Sequence, residues 1–247
     1  FLVFAIFSLG LLWSQRVRWA ELRLTRDLWV AGVVILIVMY GLGVALRWLN
    51  PEISGTEKPM DFAFLNAVAR ASEFPPMDPW FAGEPINYYY LGYSMAAFAV
   101  QLSGIDLSVG YNLALATLVA LGALAAASAG YDLAALGGAV GRARLAAAAL
   151  SMVLVVLAGN LAVIREIFGS QKDADLGYWQ GIGWNASRTI QREDFSGLTD
   201  YTINEFPSFS FILGDLHPHV MSLPFALLAV SLAVQWMVAA GRLSRPG

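Results

Sequence analysis

The sequence contains no cysteine, and histidine and charged residues are scarce. Among 247 residues there are two histidines, and Asp, Glu, Lys and Arg together make up 13%. Without cysteine there is neither a disulfide framework nor a thiolate metal site, so metal ligands must come from Asp, Glu or the two histidines. The net charge of −3 gives no indication of nucleic-acid binding.

Hydrophobic residues are abundant instead, at 58% of the chain with a mean hydropathy of +0.61. Soluble proteins contain about 45–50% apolar and about 25% charged residues, and a water-soluble core could not bury this excess. The composition predicts an all-α, polytopic bundle of transmembrane helices that forms one membrane domain over 1–247. Because the chain starts at Phe1 within an apolar run, we expect a fragment of a longer protein that begins inside a membrane helix.

Four segments have the length of a spanning helix, which needs about 20 mostly apolar residues. Phe1–Trp13 would be the remainder of another helix, and Tyr88–Gly104 is a shorter candidate, so we expect about five to six membrane helices. The four full-length segments are Leu28–Leu49, Leu107–Ala127, Leu145–Ile164 and Val220–Ala240.

Arginine positions predict the orientation of these helices, because cytoplasmic loops collect Lys and Arg. Loops 50–86 and 165–219 would then be extracytoplasmic in a multi-pass protein of the cell membrane. The first loop has six acidic and two basic residues, and the second has eight acidic and four basic residues. The arginines assigned to the cytoplasm are Arg16, Arg18, Arg23, Arg26, Arg142, Arg144, Arg242 and Arg245.

This topology needs an odd number of crossings within 86–141, yet two apolar segments lie there. Three explanations are open. Tyr88–Gly104 enters the membrane without spanning it, the remainder of that region holds two crossings, or Arg142 and Arg144 depart from the positive-inside rule.

An amphipathic helix is predicted in the first outer loop over Pro59–Ser72, lying in the membrane interface. Asp61 would lie in its first turn, where the helix dipole favours a carboxylate, with Glu57 one turn earlier. Two carboxylates at a membrane surface can provide a general base or ligate a hard cation. Helix capping plus a solvated salt bridge with Lys58 is the simpler interpretation. The apolar stripe comprises Phe62, Leu65, Val68 and Ala69.

Aromatic residues dominate the stretch before the shorter apolar segment. Trp80 is followed by three successive tyrosines, Tyr88, Tyr89 and Tyr90, which point to different sides of a helix and cannot all be core. Tyr and Trp are favoured at the membrane boundary because they have one apolar and one polar end. An aromatic belt is therefore one interpretation, and a site that stacks and hydrogen-bonds a sugar or phosphate is the other.

Both histidines lie in Asp215-Leu-His-Pro-His219, directly before the last apolar segment. Imidazole and carboxylate groups at a helix start could bind a divalent metal ion, hold an anionic phosphate or shuttle a proton. Asp215 and His217 are the candidate metal ligands, and His219 is a candidate substrate contact. A His-X-His spacing is a weak metal motif by itself, and a polar turn at the membrane interface is the alternative.

Two arginines of the second outer loop, Arg188 and Arg192, lie near Tyr178, Trp179 and Trp184. This combination suits a glycosyl phosphate, since rings stack on sugars and guanidinium groups pair with phosphate. It equally suits a loop that lies along the membrane interface.

Taken together, the motifs resemble the YYY-motif family of polytopic membrane proteins, whose members are longer than this chain. The resemblance covers 55–225. It is carried by Glu57-Lys-Pro-Met-Asp-Phe-Ala-Phe-Leu-Asn-Ala, Asp78-Pro-Trp-Phe-Ala-Gly, Ile86-Asn-Tyr-Tyr-Tyr-Leu-Gly-Tyr93, Glu205-Phe-Pro-Ser-Phe-Ser-Phe and Asp215-Leu-His-Pro-His.

The YYY-motif family is in turn distantly similar to the GT-C membrane glycosyltransferases, which take a sugar from a polyprenyl phosphate carrier. In that superfamily an acidic residue opens the first outer loop, an interfacial helix follows, and a proline-rich aromatic stretch leads into the next membrane helix. Asp61, 74–80 and 84–91 match this order. Many relatives have an Asp-Glu pair at the loop start, whereas Asp61 is followed by Phe62, so Glu57 would supply the second carboxylate.

The resemblance implies a GT-C-like enzyme that moves a sugar from a polyprenyl-phosphate carrier to an acceptor on the extracytoplasmic side. Asp61 or Glu57 would act as base or metal ligand, and the tyrosines would line a cavity for the carrier. The two histidines and Asp215 would hold a divalent metal or the departing lipid phosphate, helped by one of the arginines.

A transporter and a noncatalytic membrane assembly subunit are the alternative functions. Ion pathways place ionisable residues within spanning helices near the midplane. The predicted spans are nearly free of such residues, and the charges gather in the outer loops, which favours surface chemistry. An assembly subunit should tolerate substitution of the outer-loop acids.

Overall fold

The computed structural model describes residues 26–168, 178–193 and 199–243. These residues fold as a helical bundle with a single two-stranded hairpin, which confirms the predicted all-α architecture and adds β1 and β2 to it. The elements are α1 (Arg26–Leu49), α2 (Lys58–Arg70), α3 (Tyr90–Ser103), α4 (Leu107–Leu136), α5 (Arg142–Met152), a π-helix (Val153–Ala158), α6 (Ala162–Phe168), α7 (Tyr178–Ala186), β1 (Ile190–Glu193), β2 (Thr199–Thr202), α8 (Pro207–Leu213) and α9 (Pro218–Leu243).

Three helices in the described residues are long and apolar enough to cross a membrane: α1, α4 and the Pro218–Ala240 part of α9. A fourth span results if α5, the π-helix and α6 are counted together. These helices coincide with the four predicted segments, although α4 continues to Leu136, well beyond the predicted end at Ala127. Phe1–Trp13 lies outside the described residues.

The predicted segment Leu145–Ile164 is not one straight helix, because the chain bends by 66° between the π-helix and α6. Gly159 adopts a φ of 62° at the bend, and the ring of Phe206 occupies the place of a Cβ. Asn160 then starts α6 by accepting a hydrogen bond from the Ala162 amide at 2.9 Å. Only glycine, which has no side chain, fits at this position, so Gly159 ends the π-helix.

Helix α3 is too short to span the membrane on its own. Its 14 residues extend about 21 Å, whereas the hydrocarbon core is about 30 Å thick. It ends at Gly104, which is left-handed with a φ of 69°. Three explanations for the number of crossings were open. The helix lengths favour the one in which Tyr88–Gly104 enters the membrane without spanning it. Helix α4 is then the single crossing between loop 50–86 and α5.

Helix α4 is the centre of the bundle and packs against α1, α5 and α9. Its buried face consists mainly of alanine and glycine, which allow helix backbones to approach closely in a membrane. Gly130 lies against Ser151 and the Ala147 carbonyl of α5, and Ala116 lies against Gly43 of α1. Close packing of small residues therefore holds the central helices together.

Arg47 and Asp132 are ionisable residues of the described spanning helices that bond to neighbouring helices. Arg47 near the end of α1 is buried and donates from Nε to Asn112 Oδ1 at 2.7 Å. Asp132 on α4 accepts hydrogen bonds from Ser231 Oγ at 2.7 Å and Gln235 Nε2 at 3.0 Å, both on α9. Asp132 lies beyond the predicted end of this segment at Ala127, because α4 is longer than its apolar run indicated.

The predicted amphipathic helix is present as α2, with Pro59 in its first turn and Asp61 in the position expected for a helix N-terminus. Leu65 and Val68 are buried as predicted. Phe64 is more deeply buried than Phe62, so the apolar face is rotated relative to the predicted stripe. It packs against α3 and α4.

Gly43 is expected to be essential for the contact between α1 and α4. A Cβ at this position would lie 2.7 Å from the Ala116 Cα and 3.0 Å from its Cβ, so Gly43→Ala must push the helices apart. We expect a loss of about 1–3 kcal/mol in stability, measured as a lower thermal unfolding midpoint in detergent. Gly41→Ala is the matched control, because no atom lies within 4 Å of its added Cβ. Equal midpoints for the two variants would contradict the packing argument.

Candidate functional site

The motif that contains both histidines forms a tight turn between α8 and α9. Helix α8 ends at Gly214, which has a φ of 81°, a conformation that favours glycine. The Arg47 guanidinium occupies the space where a Cβ would lie. Helix α9 starts at Pro218, a residue suited to the first helical position. The backbone conformation at each end of the turn thus favours the residue found there, Gly214 at one end and Pro218 at the other.

Asp61 is fully buried and is held by two tyrosines from neighbouring helices. The Tyr93 hydroxyl donates to Asp61 Oδ1 at 2.6 Å. The Tyr111 hydroxyl lies 3.5 Å from Oδ2, donates to the Gly214 carbonyl at 3.1 Å and accepts from the Leu216 amide at 3.2 Å. The carboxylate of α2 is therefore linked through tyrosines to α3, α4 and the turn before α9.

The enclosed position of Asp61 alters its protonation. The pKa of Asp61 is raised to about 6, mainly by burial and also by the negative charges of Asp215 and Glu57. The hydrogen bond from Tyr93 and the charge of His217 oppose this rise. Asp61 is therefore a carboxyl that changes charge close to neutral pH.

Two further hydrogen bonds tie the start of α2 to the same turn. Thr56 Oγ1 donates to Asp215 Oδ1 at 2.7 Å, and Lys58 Nζ donates to the Leu213 carbonyl at 3.1 Å. Burial lowers the pKa of Lys58 and raises the pKa of Asp215. Lys58 is therefore not the solvated salt-bridge partner that the simpler interpretation assumed, since it is 5% exposed and points into the fold.

Glu205 brings the two histidines together around one carboxylate oxygen. Glu205 Oε2 lies 3.6 Å from His217 Nδ1 and 3.3 Å from His219 Nδ1. On the other side of the first ring, Glu57 Oε2 lies 2.8 Å from His217 Nε2, displaced from the direction in which the ring N–H points. Ser210 Oγ lies 3.2 Å from His219 Nε2.

Two adjoining cavities lie beside this cluster and differ in polarity. The first, of about 390 Å³, is lined by Tyr88, Tyr89, His217, Pro218, His219 and Ser222. The second, of about 370 Å³, is apolar and is lined by Tyr89, Leu91, Gly92, Met95, Pro218, Met221, Ser222 and Phe225. Because Tyr89, Pro218 and Ser222 border both, the two cavities lie side by side next to α3 and α9. Together they are called the groove, with a polar and an apolar end.

The three successive tyrosines have different positions. Tyr88 stacks on Phe64 with ring centroids 5.4 Å apart, and burial raises its pKa to about 12. Tyr89 is 69% exposed and borders both cavities. Tyr90 lines neither cavity and packs against Phe74 at 6.4 Å. Two of the three predicted carrier contacts thus border the groove.

Trp80 and Arg188 do not line the groove. Trp80 is 66% exposed on a turn whose backbone amides bond to Asp78 Oδ1. Arg188 stacks on Trp184, with its Cζ 3.2 Å from the ring centroid. Burial raises the pKa of Glu205, and the charge of Arg188 partly opposes that rise. The side chain of Arg192 lies outside the described part of the structure.

The two predicted catalytic carboxylates differ in accessibility. Asp61 is enclosed, whereas the side chain of Glu57 is 50% exposed and touches a histidine that lines the polar cavity. Asp215, predicted as a metal ligand with His217, bonds instead to Thr56. Among the described residues, the group whose ligand atoms converge is Glu205, His217 and His219.

Sequence reasoning gave no role to Glu205, Tyr93, Tyr111 or Arg47. Glu205 stands in one of the motifs that carry the family resemblance, but no local pattern pairs it with the histidines. Arg47 gave a usable signal, since an ionisable residue inside an apolar span is by default a functional or structural site. Tyr93 and Tyr111 are ordinary residues in apolar segments, and their partner Asp61 lies far away in sequence.

A helical membrane bundle with a polar site built from its loops is the class of protein that this arrangement defines. Residues 1–245 match the family described as "Uncharacterized membrane protein (DUF2298)", and the chain belongs to this family. Comparison with curated proteins and with solved structures gave no match.

Substitution of Asp61 by asparagine is expected to change the pH dependence of stability. The pKa of Asp61 is about 6 in the folded protein and 3.8 in the unfolded chain. Between these two pH values the folded state therefore binds more protons than the unfolded state. The stability from this group is therefore fully present below pH 3.8 and is lost as the pH rises through about 6. Asp61→Asn should match wild type near pH 4 and exceed it by up to about 3 kcal/mol at pH 8.

Unfolding in detergent across this pH range measures the difference. Glu84→Gln, an exposed acid of the same loop, is the control and should follow wild type. A gap between Asp61→Asn and wild type that stays constant with pH would contradict the raised pKa.

Proposed function

We propose that the protein is a membrane glycosyltransferase that moves a sugar from a polyprenyl-phosphate carrier to an acceptor on the extracytoplasmic side. The observation that carries this proposal is the groove formed by the two adjoining cavities beside α3 and α9. Its polar end contains histidine, tyrosine and serine side chains, and its apolar end contains Leu91, Met95, Met221 and Phe225. A lipid phosphate has the same division into a charged head and a long apolar chain.

The apolar end of the groove suits a prenyl chain because its walls are accessible from the side of the bundle. Leu91 is 71% and Phe225 52% exposed, and both lie on helices, α3 and α9. Gly92 lies against Met221, a flexible side chain that adapts to irregular apolar ligands. The chain of a carrier would therefore lie between the helices while its phosphate lies beside the histidines.

Glu57 is the proposed general base. Its carboxylate is accessible and touches His217, whereas the enclosed Asp61 has no route to a substrate in this conformation. Glu57 would take the proton from an acceptor hydroxyl as that oxygen attacks the anomeric carbon. The bond from that carbon to the phosphate oxygen breaks, and the lipid phosphate leaves with the electron pair.

Asp61 is assigned a positioning role in this mechanism. It fixes Tyr93 and contacts Tyr111, and Tyr111 in turn bonds to Gly214 and Leu216 in the turn that carries the histidines. Arg188, near Glu205, would add positive charge for the departing phosphate. This mechanism gives no role to three of the predicted substrate-binding residues, Trp80, Tyr90 and Arg192.

A transporter is the second candidate, because Arg47 and Asp132 lie within spanning helices. Ionisable residues at membrane depth often mark ion pathways. Asp132, however, bonds to Ser231 and Gln235 of the neighbouring helix, a contact that also serves to hold α4 and α9 together. The groove therefore supports glycosyl transfer more directly than these two residues support transport.

Binding of polyprenyl phosphate to the protein in detergent tests the proposal. We expect saturable binding that requires both the phosphate and the long chain, so that polyprenol and a short-chain alkyl phosphate bind at least about tenfold more weakly. Tyr89→Ala removes a wall shared by both cavities and should weaken binding about tenfold, or ~1.4 kcal/mol. Tyr40→Ala, an exposed tyrosine of α1, is the matched control and should bind as wild type does.

The assignment of the base is tested by Glu57→Gln. Since a general base typically contributes about 10²- to 10⁴-fold, transfer from a panel of labelled polyprenyl-phosphate hexoses should fall by this factor while binding persists. Folded protein that fails to bind polyprenyl phosphate would refute the glycosyltransferase proposal and favour the transporter or an assembly subunit.

A further inference from the structure

The two histidines and Glu205 have the geometry of a metal centre. Zinc bonds of roughly 2.1 Å in a tetrahedron place neighbouring ligand atoms roughly 3.4 Å apart. Glu205 Oε2 is 3.6 Å from His217 Nδ1 and 3.3 Å from His219 Nδ1, and the ligand atoms of all three residues lie within 4.8 Å of one another. The two distances from Glu205 to the histidines therefore match those on one face of a tetrahedral site.

The outer nitrogens of both rings also meet oxygen atoms. His217 Nε2 lies 2.8 Å from Glu57 Oε2, and His219 Nε2 lies 3.2 Å from Ser210 Oγ. Histidines that ligate a metal through one nitrogen nearly always direct the other N–H to a carboxylate, carbonyl or hydroxyl, which fixes the tautomer. Both rings thus have Nδ1 beside the Glu205 carboxylate. The Nε2 of His219 is hydrogen-bonded to Ser210, whereas the Glu57 oxygen near His217 Nε2 is displaced from the direction of the ring N–H.

We propose that Glu205, His217 and His219 bind one Zn²⁺ ion, with a fourth coordination position open to the polar cavity. Both histidines line that cavity, so a ligand in the groove can reach the ion directly. Three protein ligands with an open position distinguish a catalytic zinc site from a closed structural one. This set differs from the pair Asp215 and His217, since Asp215 is engaged with Thr56.

The donor atoms select the metal. Two imidazoles and one carboxylate suit Zn²⁺ and similar transition-metal ions, whereas Mg²⁺ and Ca²⁺ prefer sites made of oxygen ligands. No thiolate competes, because the chain has no cysteine. Zn²⁺ should therefore bind at least about 100-fold more tightly than Mg²⁺.

Metal binding to the purified protein tests the site without reference to any activity, so its failure is separate from failure of the glycosyltransferase proposal. The protein is purified through a tag without histidine, stripped with chelator and titrated with Zn²⁺, and with Co²⁺ as a spectroscopic probe. We expect one equivalent of Zn²⁺ after dialysis, a visible Co²⁺ absorption band that Zn²⁺ abolishes, and a higher unfolding midpoint with metal.

Variants separate direct ligands from outer contacts. His219→Ala, His217→Ala and Glu205→Gln should weaken Zn²⁺ binding by at least about 100-fold, while Glu57→Gln and Ser210→Ala should weaken it by about 10-fold. Asp215→Asn, whose carboxylate lies outside the converging group, and the exposed Glu84→Gln are the controls and should bind as wild type does. Circular dichroism and size-exclusion chromatography establish that each variant is folded.

Two results would overturn the site. One is folded wild-type protein that retains no stoichiometric Zn²⁺ and gives no Co²⁺ band, which would identify the cluster as a hydrogen-bonded ion-pair network. The other is undiminished Zn²⁺ binding in the folded His217→Ala and His219→Ala variants, which would place the ion elsewhere.

Discussion

The burial of the Asp61 carboxylate between Tyr93 and Tyr111 is the constraint on which the rest of the site depends. A buried charged or polar group is tolerated only when it is hydrogen-bonded, so the two hydroxyls must stay in place whenever Asp61 is ionised. One tyrosine comes from α3 and the other from α4, and the second also bonds to both sides of the 214–216 turn. A single carboxylate thereby fixes α2, two further helices and the turn before α9 relative to one another.

A second set of buried charges centres on Asp215. Lys58 and Arg47 each interact electrostatically with the Asp215 carboxylate. Loss of either cation would leave the buried Asp215 carboxylate without one of its compensating charges, which is far more damaging than the loss of an exposed salt bridge. The positions of His217 and His219 follow from this network, because they extend from a turn whose backbone is already held.

The sequence was sufficient to predict the helical membrane architecture, the position of most spans and the amphipathic helix that carries Asp61, because these features depend on composition and local periodicity. It was insufficient for the bend at Gly159, which depends on a contact with Phe206 that lies far along the chain. The same limit applies to the site. His217 and His219 stood out as the only histidines, yet Glu205 joins them only through folding, and the exposure of Glu57 relative to Asp61 is a property of packing. The sidedness of the loops and the resemblance to glycosyltransferases stay predictions.

The length of α4 has a consequence for the height of the site above the lipid. Its 30 residues extend about 45 Å, whereas a bilayer has a hydrocarbon core of about 30 Å. This hydrophobic mismatch requires the helix to tilt or to project beyond the acyl chains. Tyr111 lies one turn from its start, so a projecting end would raise that hydroxyl, and the Asp61 carboxylate beside it, toward the level of the lipid head groups. Bilayer thickness would then be a variable that adjusts the depth of the groove's polar end.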